Sequence, residues 1–190
     1  MTNLPDILSE ALSRIEPHTE ARMETLIAEF SRVPLSGEDR LSALAGTIAT
    51  VAHIRYVRHR SVFIEALRGW ALEITNLLGP RPSLLGPDGM SGNIHAAQSL
   101  LMAGIDGLLR SMVAAGTHAQ HRLVAELALL VRLLGRHDAA TIHLVITAVK
   151  RALADPEWQC GDRVTVLLRE QTEQLTPTAA LERLAPRGTA

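Results

Sequence analysis

Apolar residues recur at intervals of three and four along most of the chain. Leu4, Ile7, Leu8, Ala11, Leu12 and Ile15 form a first set, Met23, Leu26, Ile27, Phe30 and Val33 a second, and Leu41, Leu44, Ile48 and Val51 a third. Because an α-helix turns once in 3.6 residues, each set shares one helix face. Pro17 and Thr19 divide the first two sets, which predicts two helices or one kinked at Pro17. The stretch "SGED" at 36–39 pairs a hydroxyl with an acid three residues on, the capping-box signal for a helix start. The second half continues in the same manner through three further seams: Ile94, Leu101, Ile105, Leu108 and Met112, then Leu123, Leu127, Leu130 and Leu134, then Ile142, Val145, Ile146, Val149 and Leu153.

Punctuation marks the limits of these helices. Gly116 predicts a stop, "THAQ" at 117–120 a second capping box, and Asp138 an N-cap for a helix expected to be central. Asp155 followed by Pro156 signals a short turn and then a helix over 162–175, and "TPTAALERL" repeats that signal for a last short helix before a frayed tail at 185–190. No stretch alternates with the period of two that a half-buried strand needs. The expectation is an all-α bundle of seven or eight helices in a single domain spanning 1–190. Its helices fill 4–78 and 93–184, on either side of a proline- and glycine-rich loop at 79–92. That loop lacks the G-x-x-x-x-G-K-[ST] order and contains no lysine, so it is expected to be a tethered connector or a binding lid, not a phosphate loop.

One stretch disturbs the periodicity. In "VAHIRYVRHRSVFIEAL", residues 51–67, Arg55 and His59 fall inside the stripe that Leu44, Ile48 and Val51 define. An unbroken helix over 37–78 would be about 60 Å long, whereas a globule of this length is about 40 Å across, from a radius of gyration of about 16 Å. A break or kink near 58–61 is therefore expected, with Ser61 as the next N-cap and the cations complementing the helix dipole; the alternative is a continuous helix with Arg55 and His59 facing a groove or partner. Arg55, Arg58 and His59 are the candidate contacts for an anion or a partner, because cations placed along an apolar stripe need an acidic match once desolvated.

Other residues carry weaker signals. Gly104 and Gly107 make a strip of small residues, each costing about 1 kcal/mol against alanine, which predicts close approach of another helix. Asp106 and Arg110 have the spacing of a local ion pair. His118 and His121 project away from the apolar stripe and lack the further ligands of a zinc site, and His143 reads as a hydrogen-bonded histidine at the edge of the core.

Composition then narrows the function. The chain has 190 residues, is 47% hydrophobic and carries a net charge of −1, with a pI near 6.7. Such a balance gives no general attraction to nucleic acid or anionic membrane, and aromatic residues, at 3%, are too few for extensive base stacking. Neither a signal peptide nor a membrane span is expected, and the single cysteine, Cys160, fits a reducing cytoplasm. Arginine in place of lysine, with abundant alanine and leucine, suggests a GC-rich bacterial source. No nucleophile, base and orienting acid assemble from spacing, and neither a metal nor a cofactor is implied. The leading expectation is a non-enzymatic helical interaction or regulatory protein that self-associates, a homodimer being the simplest form, and binds a protein partner through amphipathic faces. The alternative is a ligand-sensing helical domain binding a small anion near Arg55 and His59. An enzyme of unknown class is a third.

Overall fold

The computed structural model describes Ser13, residues 15–78, 94–155, 164, 166–168 and 170. Six helices lie within that set: α1 (Pro17–Arg32), α2 (Gly37–Arg55), α3 (Arg60–Leu78), α4 (Ile94–Ala114), α5 (Ala119–Leu134) and α6 (Ala139–Ala154). Val164, residues 166–168 and Glu170 are also helical, in keeping with the helix expected over 162–175. There is no strand among the described residues, and the protein is an all-α bundle. The loop at 79–92, the first apolar set up to Leu12, Cys160 and the final short helix fall outside the described residues.

Local chemistry sets most boundaries. Pro17 opens α1 at its first turn, where the missing N–H is not needed, and Glu16 before it is extended. Ser36 caps α2, its hydroxyl accepting from the Asp39 N–H at 3.1 Å. Asp138 caps α6 more fully, taking the Thr141 N–H at 2.9 Å and the Thr141 hydroxyl at 3.0 Å. Gly116 ends α4 at φ +75°, and the bonds from Gly116 N–H to Val113 O and from Thr117 N–H to Met112 O close the helix in a Schellman motif. The expected capping box at 117–120 does not form. His118 is the N-cap, without a side-chain cap bond, and α5 begins one residue later, while the Thr117 N–H closes α4. The C-terminal carbonyls of α1 are held from a distance, by an Arg40 guanidinium that donates to Phe30, Ser31 and Val33.

Helix α2 runs through the middle of the bundle, packed on α4 and α6, while α3 lies against α6 and α5, and α1 against α4 and α5. Every residue from Leu41 to Ala49 is buried, and small side chains allow this crowding. Gly46 leaves room for Gln98 of α4, whose amide reaches the Thr50 hydroxyl at 3.2 Å. Helix α6, expected to be central, shares that position, with Leu144 and Ala148 buried as well as Val145 and Val149. The glycine strip divides in two. A Cβ on Gly104 would lie 2.3 Å from a methyl of Leu26 in α1, whereas one on Gly107 would meet nothing within 4 Å. Gly104 holds α1 close, and Gly107 does not serve that purpose.

The chain does break between α2 and α3, but earlier than the expected 58–61. Tyr56 leaves helical geometry at φ −126°, ψ 31°, residues 57–59 form a turn, and Arg60 already lies in α3. Ser61 is therefore not the N-cap. The cause is a ring stack. In a continuous helix Tyr56 and Phe63 would be about 10.5 Å apart along the axis, and the turn brings their ring centroids to 4.3 Å. The His59 N–H bonds the Tyr56 carbonyl at 2.8 Å, which fixes the elbow without glycine or proline. Among the described residues, no helix is long and apolar enough to cross a membrane.

Candidate functional site

At the elbow, α2 presents Arg55 toward α4 and α5. Its Nη2 lies 2.6 Å from Asp106 Oδ1 and its Nε 3.9 Å from Glu126 Oε1. Asp106 is thus paired across helices with Arg55 and not with Arg110 one turn along its own helix. Glu126 is only 2% exposed, and its Oε1 accepts no hydrogen bond among the described residues. Desolvation pushes its carboxyl up to about 7, with Asp106 adding to the rise and Arg55 opposing it. The Tyr56 hydroxyl is likewise buried without a hydrogen-bond partner, and burial together with the Glu126 charge pushes its pKa up. Arg55, Tyr56, Asp106 and Glu126 form a half-buried ionic cluster whose acid holds or releases a proton near neutral pH.

Of the sequence candidates, only Arg55 enters this cluster. His59 is exposed in the turn and Arg58 points elsewhere. Glu126 was not among the candidates, although a signal exists: it is the one charge in "LVAELALLV", residues 123–131, and it neighbours Leu123 and Leu130 on the helix surface.

Arg58 belongs to a second feature, a groove between α3 and α6. The two helices run antiparallel. Near the elbow, Val57, Arg58, Arg60, Ile64, Lys150 and Leu153 border a hollow of about 480 Å³. Further along, Arg68, Leu72, Thr75, Ile142, His143 and Ile146 border one of about 170 Å³, and Lys150 belongs to both. Ile64, Ala71, Ile142 and Ile146 are buried and form an apolar floor, while Leu72 stands 56% exposed at the lip. Lys150 bonds Glu65 across the seam, and Arg68 lies 3.9 Å from the same carboxylate. Arg58 and Arg60 have no ion-pair partner among the described residues. His143, expected at the core edge, is exposed on this groove.

A third hollow, of about 430 Å³, is bordered by Phe30, Leu35, Arg40, Arg136 and His137. Burial holds the His137 imidazole down to about 4, so the ring is neutral at pH 7, and its Nδ1 has no hydrogen-bond partner among the described residues. The Arg40 guanidinium there is committed to α1, which leaves less for a ligand. His118 and His121 stand 6.5 Å apart between ring centroids, and no group of three metal-ligating side chains occurs among the described residues. Comparison with protein-family models, with curated proteins and with solved structures returns no match.

Proposed function

We propose that this chain is a non-enzymatic helical interaction protein that self-associates and receives a protein partner on its helix faces. The observation that carries this reading is the apolar surface left uncovered where α2 turns into α3. Ile54, Val57 and Val62 are 59%, 55% and 50% exposed there, and Val57 leads directly into the groove between α3 and α6. Side chains of this kind are ordinary when scattered singly, but a run of them at one elbow beside a helix-lined groove is the form that helix-binding surfaces take. Arg58 is the candidate residue best placed to meet a partner.

A small anion at Arg55 is less well supported, because Asp106 already pairs with that guanidinium at 2.6 Å and an added anion would meet its repulsion. Light scattering over a concentration series tests self-association. Replacement of Ile54 and Val62 by aspartate should convert the assembly to monomers without loss of helix content, since both side chains are exposed. A wild-type protein that stays monomeric at high micromolar concentration contradicts the reading.

A further inference from the structure

We infer that the groove between α3 and α6 is a docking site for an acidic amphipathic helix. The inference rests on the interaction reading above and specifies the partner's chemistry. Its first support is shape. The groove follows α6 from Ala139 to Ala154 and α3 from the elbow to Thr75. At 1.5 Å per residue the stretch from 139 to 153 is about 21 Å long, which matches a partner helix of about four turns. Its floor is Ile64, Ala71, Ile142 and Ile146, and the exposed Leu72 gives an apolar anchor at the lip.

The second support is charge. Arg58, Arg60, Arg68 and Lys150 border the groove, against a single carboxylate, Glu65, among the described lining residues. Glu65 is neutralised locally: its hydrogen bond from Lys150 holds its carboxyl below the usual range, and Arg68 assists. The chain as a whole is at −1, so this cationic border is a local feature and not a reflection of overall charge. An apolar floor between cationic lips matches a helix whose leucine or isoleucine stripe is flanked by glutamate or aspartate, each carboxylate gaining a cation at the rim. A lipid surface would meet the same charges but could not follow a concave floor between two helices.

The test uses the full-length chain and three synthetic fluorescent peptides of four helical turns. One has an apolar i, i+3, i+4, i+7 stripe flanked by glutamates, the second the same stripe flanked by lysines, and the third the acidic composition in scrambled order. By fluorescence anisotropy the acidic amphipathic peptide should bind about tenfold or more tighter than either control, and the preference should weaken with salt. The double variant Arg58→Glu/Arg68→Glu should invert the order of the acidic and lysine peptides, and Leu72→Asp should weaken both. All three side chains are exposed, and circular dichroism verifies that the variants remain folded. Equal binding of the three peptides, an order that the charge reversal leaves unchanged, absence of binding, or binding to phosphatidylserine vesicles in place of the peptide overturns the inference. Light scattering on the same samples keeps the two proposals apart: an assembly that forms while the acidic peptide fails to bind leaves the interaction reading in place and removes only this partner.

Discussion

Replacing Glu126 with glutamine removes a charge that the fold pays to keep. Glu126 is 2% exposed, and its carboxyl moves from 4.5 to about 7 on folding. The folded state therefore holds a proton that the unfolded chain releases between those values. Stability falls as pH rises through that window, and the deficit is constant above it. At about 1.4 kcal/mol for each pH unit, the ionised side chain costs the fold about 3 kcal/mol, net of its attraction to Arg55. The Glu126→Gln variant keeps the shape and never ionises. Its stability relative to wild type should be near zero at pH 4 and should rise to about 3 kcal/mol by pH 9, with most of the change between 4.5 and 7. Urea denaturation of both proteins at intervals across this range measures the difference directly, and groups common to both cancel. A stability difference that does not vary with pH would refute the placement of Glu126 as a buried acid whose Oε1 accepts no hydrogen bond among the described residues.

His137 should act in the opposite sense: its folded value, about 4, lies below the usual 6.5, so its contribution is intact above 6.5 and is lost as pH falls toward 4. His137→Gln should flatten that part of the acid limb by roughly 3 kcal/mol, measured by the same denaturation series. Gly107→Ala, which meets nothing within 4 Å, should raise the stability measured by denaturation by about 0.5 to 1 kcal/mol. Gly104→Leu, driven into Leu26, should lower it by about 1 to 3 kcal/mol, and equal effects at the two glycines would contradict the packing of α1 on α4. Asp138→Ala leaves the Thr141 N–H without its cap and should cost about 1 to 2 kcal/mol in thermal unfolding.

What could be read from the sequence was what neighbours in the chain decide. Ser36, Asp138 and Gly116 act on residues within a turn of themselves, and all three end or begin helices as their chemistry demands. The elbow was legible as a necessity of length but not in position, because it is fixed by a stack between Tyr56 and Phe63 that periodicity does not reveal. The need of Arg55 for an acidic match was legible too. Its identity was not: Asp106 has an arginine four residues on, and only the approach of α4 to the end of α2 shows which cation it takes. Gly104 and Gly107 look alike in sequence, and the difference between them is the position of Leu26 on another helix. Glu126 carried a signal, a lone acid in an apolar run, yet its 2% exposure and its neighbours Arg55, Tyr56 and Asp106 come from the tertiary packing.

We propose that the apolar side chains exposed at the elbow between α2 and α3 are covered by another copy of the chain. Sedimentation equilibrium of the wild-type protein and of the Ile54→Asp/Val62→Asp variant tests it most directly. The wild-type mass should be at least twice the 20.6 kDa of one chain at high micromolar concentration, and the variant's should be 20.6 kDa. A wild-type protein at 20.6 kDa throughout, or a variant that assembles as readily as wild type, would contradict it.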